Sequence, residues 1–115
     1  KHLFVDGDGT AVRDWMFVED FSRAVVCVLE RWVDGATWHI AGRAPLENRE
    51  MAARIAALGR ASKLRFRVDR QGQDARYALN DEATRVALGW APRVGLEEGL
   101  AKTVEWYRAH GDLWS

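Results

Sequence analysis

Glu19-Asp20-Phe21-Ser22-Arg23-Ala24-Val25-Val26-Cys27-Val28-Leu29-Glu30-Arg31-Trp32 sets its apolar residues Phe21, Ala24, Val25, Val28, Leu29 and Trp32 at spacings of 0, 3, 4, 7, 8 and 11. Those spacings line one face of an amphipathic helix, and Asp34-Gly35 ends it. Lys63-Leu64-Arg65-Phe66-Arg67-Val68 alternates charged and apolar residues instead, the period of a half-buried strand. A chain of 115 residues that carries both periods is of the α/β class.

Working outward, Leu3 to Val5 reads as a short strand closed by the turn-rich run Asp6-Gly7-Asp8-Gly9-Thr10. Val12 to Val18 is partly extended. Thr37 to Ala41 is a strand candidate with Trp38 and Ile40 on one side and His39 on the other, and Gly42 to Glu47 reads as loop. A second helix is expected over Asn48 to Leu58, with Met51, Ala52, Ile55 and Leu58 facing inward and Gly59 past its end. Asp69 to Tyr77 has little periodicity and is dense in charge and amides. Asn80 or Asp81 can cap a third helix that stops at Leu88-Gly89, with Pro92 just beyond. A last helix starts near Leu96 and carries Leu96, Leu100, Val104 and Tyr107 on one face. The order βαβαβαα, without repeat or linker, predicts one compact α/β piece that completes a larger sheet. The chain opens at Lys1 on what already reads as the inside of a strand, so a piece of a longer protein is expected.

Composition narrows the function classes. Hydrophobic residues make up 48% of the chain and charged ones 30%, as in soluble globular proteins. Seventeen basic residues balance seventeen acidic ones, so no global field draws the chain to nucleic acid or anionic lipid. The lone Cys27 sits in an apolar run and reads as an inert core thiol. With no second cysteine there is no disulfide, and a reducing cytoplasm is the expected setting. The longest apolar run falls far short of the roughly 18 residues of a membrane-spanning helix.

The chain has no GxGxxG or GxxGxxG after a strand, no Walker A loop, no HExxH and no GxSxG. His2, His39 and His110 lie far apart, with no metal-ligand neighbour at helical spacing. The polar features left are Arg13-Asp14, Asn48 and the loop Asp69-Arg70-Gln71-Gly72-Gln73-Asp74-Ala75-Arg76-Tyr77. From its spacing Arg13 suits a surface pairing with Asp14 or Glu19 better than a guanidinium fork for phosphate oxygens. The loop is either a solvated connector or a polar hand at a sheet end, with Gly72 admitting close backbone approach. Asn48 can cap the second helix. Trp15, Trp38 and Trp90 are expected to be buried and structural.

Several of these segments also follow one family's pattern. Val12-Arg13-Asp14-Trp15-Met16-Phe17-Val18-Glu19-Asp20, followed by Arg23-Ala24, resembles the RDW-[LM]-[YF]-VED-H-x-RA segment of dTDP-glucose 4,6-dehydratases. Thr37-Trp38-His39-Ile40-Ala41-Gly42 looks like their TYNIGG strand, with Asn48 on the Asn that opens the next helix. Val68 to Tyr77 resembles ADRPGHDRRY, Leu88-Gly89-Trp90-Ala91-Pro92 matches LGWKP, and Gly99 to Tyr107 matches GIRKTVEWY. RDW…VED and LGWxP are widespread in extended short-chain dehydrogenase/reductases, whereas the DRxGxDxRY loop narrows the choice to the 4,6-dehydratases.

The resemblance implies the small substrate-binding C-terminal part of an extended Rossmann-type short-chain dehydrogenase/reductase, spanning residues 1–115. An N-terminal NAD-binding domain would be absent from this chain. It implies that Arg13 and Arg70 grip the diphosphate of a sugar nucleotide, with dTDP-glucose the expected partner. Asn48 would bond near the nucleoside, and Asp69, Gly72 and Gln73 would belong to the loop that closes over it. No catalytic, cofactor-binding or metal-binding residue is expected here.

The implied parent is a lyase of deoxysugar biosynthesis. It oxidises glucose C4 with NAD, loses water across C5 and C6, and returns hydride to C6. The acid/base carboxylates and Tyr-x-x-x-Lys pair would be supplied by the part not present, as would the homodimer contact. The chain alone is predicted inactive, with no nucleic-acid or membrane partner. Gln71 for Pro, Gln73 for His, His39 for Asn, and Phe4 and Asp6 for a Pro and a Tyr near the base depart from the pattern. They leave open another base or sugar. A nucleotide-sugar epimerase or decarboxylase, and a non-catalytic sugar-nucleotide-binding module, remain the alternatives.

Overall fold

A computed structural model describes residues 2–59 and 63–111; Lys1 lies outside them. The elements run β1 (His2–Asp6), β2 (Val12–Asp14), α1 (Val18–Glu30), β3 (Pro45–Glu47), α2 (Asn48–Gly59), β4 (Lys63–Arg67), β5 (Arg76–Tyr77), α3 (Glu82–Leu88) and α4 (Leu96–Ala109). β1 and β4 form a parallel pair in which Asp6 faces Arg67. β2 is the centre of a second, three-stranded sheet, antiparallel to β3 and parallel to β5. The helix α2 packs on β1 and β4 and against α4.

The buried core is small: one cluster joins Ala24 of α1, Leu88 of α3 and Trp90, with Met16, Cys27, Val28, Trp38 and Ile40 packed around it, while Val5, Ala41 and Met51 are buried elsewhere among the described residues. Cys27 is a free thiol in this cluster, as its apolar run predicts. Gly89 ends α3 in the left-handed conformation, φ +60°, which turns Trp90 back onto the core. Gly42 is fixed for another reason. A Cβ there would lie 1.9 Å from the Trp15 carbonyl oxygen, so only glycine lets the two backbones meet.

The structure corrects several expectations. Thr37 to Ala41 forms no strand. It has no partner strand among the described residues, and the His39 N–H donates to Thr84 Oγ1 at 3.0 Å. Gly42 to Glu47 is not all loop, because Pro45–Glu47 pairs with β2. Arg76–Tyr77 forms a two-residue strand in the stretch expected to be irregular. Of the two cap candidates for α3 it is Asn80 that reaches the helix start, as one of the expected alternatives, accepting the Glu82 N–H at 3.0 Å. Asp81 is buried and pairs with Arg43 and Arg85 instead.

The apolar face read for α1 is mostly uncovered: Phe21, Val25, Leu29 and Trp32 are exposed. The helix turns Asp20, Ala24, Cys27 and Val28 inward, because α3 and Trp90 meet it on that side. Phe66, Tyr107 and Leu58 are also exposed, and of the three tryptophans expected to be largely buried, Trp90 is buried whereas Trp15 and Trp38 are half-buried. Nor is the piece compact. Its accessible surface is 8301 Å², against about 6300 Å² for a folded monomer of this mass. No described helix is long and apolar enough to cross a membrane.

Candidate functional site

The turn after β1 organises the polar end of the molecule. Asp8 accepts bonds from the Thr10 N–H at 2.9 Å and the Thr10 hydroxyl at 2.6 Å, closing the turn. Gly7 adopts φ +64°, and a Cβ on it would meet the Asp69 carboxyl carbon at 2.8 Å. The turn therefore sits directly against the loop that follows β4. On its other side, the Asn48 N–H donates to the Ala11 carbonyl at 3.0 Å and the Arg49 N–H to the Gly9 carbonyl at 2.9 Å. These two bonds occupy N–H groups at the start of α2, so that helix end is tied to the turn.

Arg13, in the middle of β2, is half-buried and pairs with neither Asp14 nor Glu19. Its Nη1 donates to the carbonyl oxygens of Val12 at 2.8 Å and Asp74 at 2.9 Å. Asp14 accepts the Ala44 N–H at 2.8 Å. With the Val12 N–H bonded to the Ala75 carbonyl at 2.9 Å, Arg13 anchors the 68–75 loop onto β2. Within that loop Asp69 accepts the Arg70 N–H at 2.8 Å. Gly72 has φ +79° with open space where a Cβ would stand, and Gln73 is exposed.

Arg70 projects outward, its side chain 70% exposed, and its Nε meets Asp6 Oδ2 at 2.8 Å. Arg67 pairs with the other Asp6 oxygen and lies over the Phe4 ring. That hydrogen bond from Arg67, the largest influence, holds the Asp6 carboxyl below its ordinary value. The structure thus gathers Arg13, Asn48, Asp69, Arg70, Gly72 and Gln73 around one turn and one loop. Asp6, which the sequence shows only as a departure from the pattern near the base, and Arg67, which it does not single out, belong to the same cluster. Their signal is the pairing of β1 with β4, which sets Asp6 opposite Arg67.

The arrangement suits an anionic ligand: two arginines held near a glycine-containing loop at a strand end, with polar side chains beside them. The Gly7–Gly9 turn runs into a strand and not a helix, so no helix N-terminus follows it to face a pyrophosphate. Among the described residues no group of three His, Cys, Asp or Glu side chains could hold a metal ion. A separate apolar groove of about 1080 Å³ lies between the start of α1, α2 and α4, lined by Trp15, Phe17, Met51, Ile55, Leu100 and Trp106 among others.

Comparison with known proteins gives consistent matches. A family model described as GDP-mannose 4,6 dehydratase matches residues 1–103. The dTDP-glucose 4,6-dehydratase of Neisseria gonorrhoeae is 42% identical over 120 residues, covering 93% of this chain and 35% of that protein. Among solved structures, the dTDP-glucose 4,6-dehydratase of Streptomyces venezuelae with NAD bound superposes with a TM-score of 0.93 at 35% identity, covering 99% of this chain and 36% of that one. A UDP-glucose 4-epimerase from Thermotoga maritima, solved with UDP-glucose, gives 0.86 at 28% identity, covering 95% of this chain and 35% of that one. The chain spans about a third of the length of the curated relatives it matches.

Proposed function

This chain belongs to the GDP-mannose 4,6 dehydratase family, and from that premise we propose that it is the nucleotide-sugar-binding portion of an NAD-dependent 4,6-dehydratase acting on dTDP-glucose or a close analogue. The observation that carries the reading is the loop that Arg13 pins to β2, with Arg70 standing outward from it. Each guanidinium keeps donors for phosphate oxygens, and charge-assisted pairs of that kind are the strong ones. Asn48, Asp69, Gly72 and Gln73 surround the same turn and would contact the nucleoside end. NAD would be held by residues outside this chain, as would the catalytic acid, base and Tyr-x-x-x-Lys pair. A cytoplasmic enzyme dimerising through that other part completes the proposal.

Arg13→Ala and Arg70→Ala in the full-length protein should each weaken binding of dTDP by about 1.5–3 kcal/mol, the range for hydrogen bonds to charged groups. Calorimetric titration measures this, and unchanged affinity in both variants would sink the site.

An epimerase is the second reading, since the Thermotoga maritima structure shares the fold. Product analysis of the full-length protein separates the two: a 4-keto-6-deoxy sugar supports dehydration, and a C4 epimer supports the alternative. The chain on its own is expected neither to bind NAD nor to turn over dTDP-glucose. Incubating the purified chain with both and assaying for the keto product is the check, and turnover above background would show that the chemistry was misplaced.

A further inference from the structure

Arg70 is exposed, yet its guanidinium has a fixed partner. Its Nε lies 2.8 Å from Asp6 Oδ2, and Arg67 takes Asp6 Oδ1. The carboxylate lies beneath both arginines: the Asp6 side chain is 17% exposed, against 53% for Arg67 and 70% for Arg70. Its backbone is fixed as well. Asp6 ends β1, and the next N–H, from Gly7, donates to the Arg67 carbonyl at 2.9 Å. We propose that Asp6 is a positioning residue that fixes the Arg70 guanidinium for a nucleoside diphosphate, an inference that rests on Arg70 being a diphosphate contact.

Three features support it. A carboxylate bound at Nε leaves the Nη1–Nη2 edge of the guanidinium, the edge that makes end-on bidentate pairs with phosphate, directed away from Asp6. An unrestrained arginine loses rotamer freedom on binding, and a guanidinium already held in place loses less. The charge also works in favour of binding. Asp6 relieves the repulsion that Arg67 and Arg70 would otherwise exert on each other, and the three groups together keep one net positive charge. The bond from Arg67 lowers the Asp6 pKa, so the carboxylate keeps its charge to lower pH than an ordinary aspartate does. Asp6 is also one of the positions at which this chain departs from the pattern it resembles, so the device belongs to this chain's own sequence.

The test is calorimetric titration of dTDP into the full-length protein carrying Asp6→Asn, Asp6→Glu, Arg70→Ala, or Asp6→Asn with Arg70→Ala. Asp6→Asn keeps the size and the acceptor oxygen but removes the charge, so it should fold even if Asp6→Ala does not. It should weaken dTDP binding about three- to tenfold, the cost of ordering one freed side chain. Asp6→Glu should restore most of that loss, and Asp6→Asn should add nothing once Arg70 is alanine. Three results would overturn the inference: tighter binding by Asp6→Asn, which would make the carboxylate a competitor of the ligand; an equal loss in the Arg70→Ala background, which would make Asp6 a folding residue; or no change in Asp6→Asn while Arg70→Ala still weakens binding. Unchanged binding in Arg70→Ala itself would instead remove the diphosphate reading on which the inference stands.

Discussion

Trp90→Ala is expected to cost about 3–5 kcal/mol of folding stability, the range for emptying a large aromatic site in a packed core. Trp90 is 3% exposed and sits with Ala24 and Leu88 at the centre of the buried cluster. That cluster is the main apolar contact between α1 and α3, so neighbouring side chains cannot easily close over the gap. The Arg85 guanidinium lies 5.9 Å from the indole ring and would lose that face too. The indole N–H is buried and finds no acceptor among the described residues, which gives a second expectation. Trp90→Phe removes an unpaired donor along with some volume, so it should cost less than half as much as the alanine variant. Urea denaturation of the full-length protein reports both. An alanine variant within about 1 kcal/mol of the parent, the effect of an average substitution, would mean the cluster is not the core.

How much of this was legible depends on how local the physics is. The helices α1, α2 and α4 and the strand β4 announce themselves because periodicity is a property of consecutive residues. The stop at Leu88-Gly89 is equally local. Thr37 to Ala41 looks like a strand because alternation is there, but a strand also needs a partner, and none of the described residues supplies one. β3 and β5, at three and two residues, are too short for any period to show. The face of α1 misled for another reason. Periodicity reports where apolar residues are, whereas burial depends on what packs against them, and α3 chose the Ala24 side.

The candidate site divides in the same way. Arg13, Asn48 and the 69–73 stretch are visible as polar residue types in suggestive places. That they converge is not visible, because it requires the Gly7 turn to lie against Asp69 and the Asp74 carbonyl to reach Arg13 across 61 residues of sequence. Asp6 and Arg67 are separated by the same interval, and only the parallel register of β1 and β4 joins them. Asp20 is the hardest case: at a helix start it reads as an ordinary acidic first-turn residue, yet it is 1% exposed.

Asp20→Ala is therefore expected to destabilise the fold by roughly 3 kcal/mol at neutral pH, the upper end for leaving buried donors without their acceptor. Its carboxylate accepts the Arg93 N–H at 3.0 Å on one oxygen and the Val94 N–H at 2.9 Å on the other. It also pairs with Arg23, whose Nη2 continues to the Ala91 carbonyl at 3.0 Å. One side chain thus ties the connector between α3 and α4 to α1, and alanine would leave two backbone donors and a guanidinium without their acceptor. Asn cannot replace it, since its NH₂ group would face one of the two N–H donors. Burial pushes the Asp20 pKa up, but the bonds from Arg93, Arg23 and Val94 outweigh it, so the folded value lies below the ordinary 3.8. A depressed carboxylate stabilises the fold above its unfolded pKa, and that contribution is lost as pH falls through the folded one. Thermal or urea denaturation of parent and Asp20→Asn should accordingly show a full gap at pH 7 that narrows as the pH falls below the ordinary 3.8. A gap that stays constant across that range would mean the charge of Asp20 is not what holds the connector in place.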